Sequence, residues 1–329
     1  GSPPGSGDPC DARSAARTGA TAAQVRGLCI ATGVPSTIVD SYQFTTVAIG
    51  TVASGSTALT PETADTYTAG VVWRPHFDNP WVSGLSVSVD YYDIAISNVI
   101  SQVSAVTTLN KCYNLDGTNP SYSAANIYCQ QVARDGTGGV SAVSTPYLNL
   151  GGLKTRGVDV QADWKLDFEE AGLGLPGAID LNFVVNFTNA YKVQLLPGSA
   201  WVEYSGTIDG TQAATTPPVG LPLPKSKIFA NLTYRVGPAE IGLRWRHLPK
   251  MDDVTSVTRP ASPAPGVGSY DIFDLNGGWK FSDKTSLRAG VTNLFDKDPP
   301  VVGGTLGQTQ PGTYDIIGRS FYLSLSSRF

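Results

Sequence analysis

Apolar and polar side chains alternate one by one along most of this chain. Residues 157–168 read Gly-Val-Asp-Val-Gln-Ala-Asp-Trp-Lys-Leu-Asp-Phe, so every even-numbered side chain is apolar. A β-strand has a side-chain period of two, and this segment therefore has one apolar and one polar face. The same alternation recurs within residues 179–187, 227–236, 241–246, 273–281 and 320–329. The chain is predicted to be all-β.

The pattern predicts nine strands, several of them longer than the five or six residues usual in soluble sheets. Their predicted ranges are 62–75, 85–100, 145–169, 177–196, 222–236, 239–251, 268–281, 284–297 and 317–329. A tilted strand needs about 9–11 residues to cross a bilayer. The alternative is a secreted β-sandwich, with one face of each sheet in a core and the other in water.

The lengths of the connections separate these two alternatives. Short connections are expected at 76–84, 170–176, 237–238 and 282–283. They alternate with long ones at 1–61, 101–144, 197–221, 252–267 and 298–316. A meander with this alternation has all its long loops at one end, as outer-membrane barrels do with their extracellular loops. The chain is therefore predicted to be a transmembrane antiparallel β-barrel, with its apolar face towards lipid and its polar face inside.

One predicted strand breaks the simple alternation. Val87, Val89 and Tyr91 share one face, but apolar side chains continue on the opposite face from Tyr92 to Ile96. A β-bulge near residues 90–93 explains this switch, and so does a strand that leaves the bilayer and packs against loops. Aromatic residues near strand ends are expected to form interfacial girdles. These are Trp73, Trp81, Tyr91, Tyr92, Trp279 and Tyr322.

Composition excludes several other classes of protein. Only 15% of the 329 residues are charged, and the net charge is −4. A soluble domain typically carries about 25% charged residues. The acidic balance gives no electrostatic basis for binding nucleic acid. No apolar run reaches the length of a transmembrane helix. Residues 1–30 contain no secretion signal, which is expected to be absent or to lie outside this chain.

The four cysteines form two local pairs in the sequence. Cys10 and Cys29 lie in the first long connection, and Cys112 and Cys129 lie in the second. Four cysteines allow three connectivities, and nearest-neighbour pairing closes two short loops of similar size. Neither pair has the spacing of a zinc site or a redox motif. Disulfides are the favoured interpretation over free buried thiols, and they imply an oxidising compartment such as the periplasm or the cell surface.

Nine strands do not make a complete barrel. Single-chain outer-membrane barrels have an even number of strands and both termini on the periplasmic side. Nine strands ending at Phe329 place residue 1 outside the cell and leave two open edges in lipid. The chain is therefore expected to be the C-terminal piece of a larger barrel, either nicked in an extracellular loop or known only in part.

Four motifs resemble the C-terminal part of TonB-dependent outer-membrane receptors. Residues 291–300 read Val-Thr-Asn-Leu-Phe-Asp-Lys-Asp-Pro-Pro, and residues 318–329 run from Gly-Arg to a final Phe. Residues 59–67 read Leu-Thr-Pro-Glu-Thr-Ala-Asp-Thr-Tyr, which resembles the start of a strand in that family. Residues 151–159 contain Thr-Arg-Gly-Val-Asp where the family has Thr-x-Gly-Val-Glu. Together the motifs cover residues 59–329.

The resemblance implies a 22-stranded barrel that encloses an N-terminal plug. Neither the plug nor the box that binds TonB is found in this sequence, so the plug and about 13 strands are expected on another chain or are missing. The implied activity is uptake of a scarce solute, driven through the TonB complex by the inner-membrane proton gradient. The implied partners also include outer-membrane lipid and the barrel-assembly machinery. Phe321 and Phe329 resemble the C-terminal signal that this machinery recognises. No cofactor is implied.

Ligand contacts are expected in the long loops. The candidates in loop 101–144 are Tyr113, Tyr122, Tyr128 and Arg134, and those in loop 197–221 are Trp201 and Tyr204. Aromatic rings stack on a sugar or an aromatic siderophore, and Arg pairs with an anion. The alternative is that loop aromatics pack among themselves. On the polar face, Asp159, Asp163, Asp167, Arg244 and Arg246 are expected to be hydrated or paired with the plug.

The sequence contains no arrangement that indicates an enzyme or a metal site. His76 and His247 each lack a second His or Cys at ligand spacing. No nucleophile elbow, phosphate-binding loop or dinucleotide motif is present. Three functions remain: an active importer, which is favoured, a passive porin, and a secreted β-rich binding module. A siderophore, a carbohydrate and another nutrient fit the importer equally well as its solute.

Overall fold

The structure, a computed structural model, describes residues 7–45, 49–75, 77–208, 222–258, 266–302 and 309–328. Helices are short in this part of the chain, and none is long and apolar enough to cross a membrane. The helices are α1 (Ala15–Thr18), α2 (Ala22–Ala31), α3 (Pro80–Ser83), α4 (Ala105–Cys112) and α5 (Thr255–Thr258), and a 3-10 turn spans Cys129–Gln131. Two of the predicted residues, His76 and Phe329, lie outside the described residues.

All nine predicted strands are present, with their ends shifted by a few residues. They are β2 (Thr63–Trp73), β3 (Leu85–Gln102), β5 (Val140–Asp167), β6 (Ala178–Gln194), β9 (Ser226–Val236), β10 (Ala239–Leu248), β12 (Tyr270–Lys280), β13 (Thr285–Thr292) and β14 (Ser320–Ser327). Five short strands lie in the long connections. These are β1 (Thr51–Ser54), β4 (Val132–Arg134), β7 (Val202–Glu203), β8 (Thr207–Ile208) and β11 (Asp252–Asp253).

The nine long strands are neighbours in one sheet, in the order β14-β13-β12-β10-β9-β6-β5-β3-β2. This order follows the chain without a crossover, as expected for a meander. Gly237, in the two-residue turn between β9 and β10, has a φ of 53°. Tight hairpin turns need such positive φ values, which glycine adopts without steric cost. The predicted antiparallel meander is thus confirmed, and β14 and β2 end its path through the described residues.

The registers between strands align the apolar side chains into rows across the sheet. One row joins side chains from seven strands, each directly opposite the next: Trp164, Leu181, Leu232, Leu243, Leu275, Val291 and Phe321. The adjacent row on the other face contains Asp163, Asn182, Asn231, Arg244 and Asp274. Because directly opposed residues share a face, the two predicted faces are confirmed.

Strand β3 keeps its register against β2 without a bulge. Pairing runs unbroken from Thr63 opposite Ser97 to Trp73 opposite Val87. The Tyr92 hydroxyl lies 3.5 Å from Nδ2 of Asn186, on the polar face. A regular pleat therefore continues, and Ile94 lies on the polar face with Tyr92. The bulge expected near residues 90–93 is wrong for this pairing.

Two aromatic residues do not fit the predicted girdles. Tyr92 lies on the polar face, and so does Tyr322, opposite Gly290. The prediction that these two tyrosines belong to the girdles is therefore wrong, since a girdle residue faces lipid. Trp73, Trp81 and Trp279 keep half of their surface exposed, as expected of rings at the membrane interface.

Residues 1–61 and 100–150 form a compact unit of their own, called the loop unit here; residues 62–99 and 151–329 form the sheet unit. In the loop unit, α1 and α4 begin after Ser14 and Ser104, whose hydroxyls accept hydrogen bonds from backbone N–H groups in the first turn. Disulfides join Cys10 to Cys29 and Cys112 to Cys129. The pairing is therefore the nearest-neighbour one.

The loop unit has its own apolar core. Side chains from both of its segments are buried together, among them Val25, Leu28, Val39, Leu109 and Tyr113. Both disulfides lie within this core. The sequence treats these segments as two separate irregular loops, whereas the structure joins them into one folded body.

Candidate functional site

Two of the predicted ligand contacts lie inside the loop unit. The Tyr113 side chain is fully buried, and that of Arg134 is 1% exposed. Arg134 donates from Nη1 to Oδ2 of Asp8 at 2.6 Å and from Nη2 to Oδ1 at 2.8 Å. This is a bidentate ion pair between two buried groups, the strongest geometry available to Arg and a carboxylate.

Further hydrogen bonds complete this buried cluster. Asp8 also accepts from the Tyr42 hydroxyl at 2.8 Å and from the backbone N–H of Cys10 at 2.9 Å. The Tyr113 hydroxyl lies 3.0 Å from Nη2 of Arg134 and 2.6 Å from the Thr32 hydroxyl. Burial raises the pKa of both tyrosines, so they remain protonated.

The prediction that Tyr113 and Arg134 contact the ligand is therefore wrong. Their polar atoms are used within the protein, and neither side chain reaches solvent. Sequence position suggested exposure because both residues lie between strands, but the loop unit has an interior of its own. Tyr122 and Tyr128 pack against the outside of the same core and stay partly exposed. The Lys111 ammonium lies 5.5 Å from the centre of the Tyr128 ring.

The two candidates after β6 also separate into one buried and one exposed residue. Tyr204 is 4% exposed, and its backbone N–H donates to the Tyr191 carbonyl at 2.8 Å. The prediction that Tyr204 contacts the ligand is therefore wrong, because the residue is buried within the protein. Trp201 is 37% exposed, and the Lys154 ammonium lies 4.5 Å from its ring centre. Trp201 thus presents an aromatic surface beside a cation.

The polar face of the sheet unit carries charged and amide side chains that bond to one another across strands. Asn186 donates to Asp159 at 2.6 Å, and Asn182 donates to Asp163 at 2.7 Å. Arg235 forms an ion pair with Asp180. Asp159 and Asp163, which were expected to be hydrated or paired with the plug, thus have partners on a neighbouring strand of this chain.

The two polar-face arginines of β10 have different surroundings. Arg246 reaches Asp315 of the last long connection at 2.7 Å and Asp274 of β12 at 3.4 Å, both through Nη2. Arg244 forms no ion pair with another described residue, and its guanidinium lies 5.7 Å from the Phe229 ring centre. Arg244 is therefore available to a group that enters from the polar side.

A concave cavity of about 840 Å³ opens on this polar face. Its charged lining consists of Arg235, Glu240, Arg244, Arg246, Asp274, Arg288 and Asp315. A second cavity of about 280 Å³ lies beside it and shares Arg246 and Asp315 with it. Cavities of several hundred Å³ with a few convergent polar groups are typical of small-molecule sites.

A small apolar cluster of strand and loop residues lies beside these cavities and contributes Tyr314 to the larger one and Tyr270 and Ile272 to the smaller one. Ile208, Met251, Val267, Tyr270, Ile272, Val302 and Tyr314 are buried together there. The Tyr270 and Tyr314 rings meet edge to face, with their centres 5.1 Å apart. Sequence reasoning missed Tyr270, Tyr314 and Asp315, because contacts between the start of β12 and the last long connection leave no periodic signal along the chain.

The described residues contain no group of three or more His, Cys, Asp or Glu side chains that could hold a metal ion. His247 instead lies with its Nδ1 2.8 Å from Oδ1 of Asp271, which also accepts from Nε1 of Trp245 at 2.9 Å. The carboxylate thus holds both rings in place.

Comparison with known proteins yields a family. A family model described as TonB dependent receptor-like, beta-barrel matches residues 27–294. The ferric enterobactin receptor PirA of Pseudomonas aeruginosa is 36% identical over 75 residues, which are 23% of this chain and 10% of the relative.

Solved receptors share the fold at low sequence identity. The ferric enterobactin receptor PfeA of Pseudomonas aeruginosa, in complex with enterobactin, is 17% identical with a TM-score of 0.51, and the match covers 85% of this chain and 34% of that chain. The FrpB iron transporter of Neisseria meningitidis, in its apoprotein form, is 14% identical with a TM-score of 0.51, covering 84% and 33%. This chain therefore spans about a third of the length of the solved receptors.

Proposed function

The chain belongs to the TonB-dependent receptor family, and from this membership we propose that it forms the C-terminal part of a barrel that actively imports a scarce solute. The observation that carries the proposal is the family match over residues 27–294, which includes eight of the nine long strands. Receptors of this family are β-barrel proteins of the bacterial outer membrane, and the chain is placed there. The family is one of transporters and not of porins or enzymes.

The proposed solute is a metal complex of a siderophore. PirA and PfeA are both named as ferric enterobactin receptors, and FrpB is named as an iron transporter. The exposed aromatic rings and the arginine-lined cavity of this chain fit an aromatic or anionic complex. Carbohydrate is the second candidate class, since exposed rings also stack on sugars.

Receptors of the family contain a plug and interact with TonB. We propose that this chain completes its barrel with strands and a plug outside the sequence described here, and that TonB acts on that plug. Phe321, opposite Val291 on the apolar face, is proposed to act together with Phe329 as the signal for the barrel-assembly machinery.

The long connections are proposed to face the cell exterior. In the sequence they are residues 1–61, 101–144, 197–221, 252–267 and 298–316. Tyr122, Tyr128 and Trp201 remain as proposed solute contacts, because each is at least partly exposed in the structure. The disulfides of the loop unit fit this placement, since the cell surface is oxidising.

Uptake of the solute should depend on the proton gradient. Cells that express the receptor should accumulate radiolabelled ferric enterobactin, used as the probe, and a protonophore or deletion of tonB should abolish accumulation while surface binding remains. A porin would instead pass solute independently of the gradient. Accumulation that persists without both TonB and the gradient would contradict active import.

Substitution of Trp201 should weaken binding of the same probe. Trp201→Ala removes an exposed ring, and an aromatic contact is worth about 0.5–1.5 kcal/mol, or about a two- to tenfold loss of affinity. Trp81→Ala is the matched control, because Trp81 is 46% exposed but lies in a short connection. Equal effects of the two substitutions on the dissociation constant in whole cells would argue against a contact at Trp201.

A further inference from the structure

The smaller of the two cavities, of about 280 Å³, lies between strand ends of the sheet and the last long connection. Its lining includes Lys227, Arg246, Tyr270, Ile272, Thr313 and Asp315. The polar side chains lie among apolar ones, which include Phe229 and Leu248. A cavity of this size accommodates one functional group of a solute and not a whole siderophore.

Two buried donors at this cavity have no hydrogen-bond partner among the described residues. Tyr270 is 5% exposed, and its hydroxyl is buried and unpaired. Nε of Arg246 is likewise buried and unpaired. A buried donor without an acceptor costs about 1–3 kcal/mol, so two such donors at one cavity indicate that an acceptor from outside the protein occupies it.

The geometry of Arg246 identifies what kind of acceptor fits. Asp315 and Asp274 both approach Nη2, at 2.7 and 3.4 Å, and leave the Nε side of the guanidinium unused. Arg binds carboxylates and phosphates best when two adjacent nitrogens donate to two oxygens. Lys227, which forms no ion pair with another described residue, supplies a further cationic donor at the same cavity.

The charge of the lining agrees with an anion. Lys227 and Arg246 contribute two positive charges, and Asp315 contributes one negative charge. Asp274, 3.4 Å from the same guanidinium, supplies a second negative charge. The attraction for an oxyanion therefore comes from Lys227, which forms no ion pair with another described residue.

We propose that this cavity binds a carboxylate or phosphate group through Nε of Arg246, the Tyr270 hydroxyl and the Lys227 ammonium. Asp315 is an internal competitor, because it already occupies one nitrogen of Arg246. That the anion is carried by the imported solute rests on the proposed function; binding itself does not.

Binding can be measured on the full receptor in detergent, with inorganic phosphate and acetate as probes in calorimetric titrations. Tyr270→Phe should weaken binding about tenfold or more, because a hydrogen bond to a charged group is lost. Arg246→Lys should also weaken it, since Lys keeps the charge but not the paired donors. Asp315→Asn should strengthen binding, because the competing carboxylate is gone.

Tyr314→Phe is the matched control. Tyr314 is equally buried, its hydroxyl is also unpaired, and its ring contacts Tyr270, but it lines only the larger cavity. Phosphate and acetate binding should be unchanged in this variant. The site is overturned if neither anion binds to the unsubstituted receptor. It is also overturned if Tyr270→Phe binds the anions with the same affinity as Tyr314→Phe. Since no transport is measured, such a failure leaves the proposed import standing.

Discussion

Replacement of Arg134 by leucine is expected to destabilise the loop unit by about 3–5 kcal/mol. Asp8 and Arg134 are 0% and 1% exposed, so the substitution leaves a buried carboxylate without its cation. The remaining donors to Asp8 are the Tyr42 hydroxyl and the Cys10 N–H, which carry no charge. No disulfide joins the two segments of the loop unit, so this ion pair is among the contacts that hold them together.

Hydrogen exchange followed by mass spectrometry of the full receptor provides the measurement. Peptides from α2 and α4 should exchange more than about a hundredfold faster in Arg134→Leu, if these amides exchange through unfolding of the unit. Peptides from β9, β10 and β12 serve as the internal reference and should keep their protection. Unchanged exchange in α2 and α4 would show that the pair does not stabilise the unit.

A matched control comes from a second Arg–Asp pair of the loop unit. Arg26 also binds a carboxylate, that of Asp40, at 2.8 Å, but both side chains are largely exposed. Water and salt screen such pairs, so Arg26→Leu should leave exchange unchanged. The double variant Asp8→Leu and Arg134→Leu should lose less stability than Arg134→Leu alone, because no unpaired charge remains.

The faces of the sheet could be predicted because they depend on a local rule. Each strand places alternate side chains on opposite sides, so the row from Trp164 to Phe321 needs only the periodicity of each segment and a register that matches it. The exception at Tyr92 shows the limit of that rule. Apolar side chains do occur on the polar face, and the alternation of hydrophobicity alone suggested a bulge that the pairing of β3 with β2 does not have.

The loop unit could not be predicted, because its contacts are distant in sequence. Asp8 and Arg134 are 126 residues apart, and a regular strand pair lies between their segments. Nothing in the spacing of Tyr113 or Arg134 distinguishes a buried residue from an exposed one. The cysteine positions favoured disulfides, but did not show that the two segments fold together.

The smaller cavity could not be predicted from the sequence for the same reason. Alternation placed Arg246 on the polar face, yet its strongest partner, Asp315, is 69 residues further along the chain. Tyr270 and Tyr314 meet only because the last long connection packs against the start of β12. Sequence periodicity therefore locates the wall of a site, while the loops that complete the site require coordinates.

An arginine at Leu181 is expected to destabilise the barrel by up to about 2–4 kcal/mol, the cost of Arg on a lipid face at the bilayer midplane, which falls towards the interfaces. Leu181 lies in the apolar row that runs from Trp164 to Phe321, between Trp164 and Leu232 on its two neighbouring strands. The guanidinium would have to enter hydrocarbon or bend away from it. The measurement is the denaturant midpoint of the receptor refolded into lipid vesicles.

The next residue along the strand supplies the control. Asn182 points to the opposite face, where it donates to Asp163, so Asn182→Arg places the same cation beside a carboxylate in a polar environment. Its midpoint should stay close to that of the unsubstituted receptor. Equal losses at the two positions would mean that both faces meet similar surroundings. A soluble β-sandwich would also bury Leu181, but its stability would not depend on lipid, whereas here the loss at Leu181 should shrink in vesicles with a thinner hydrocarbon layer.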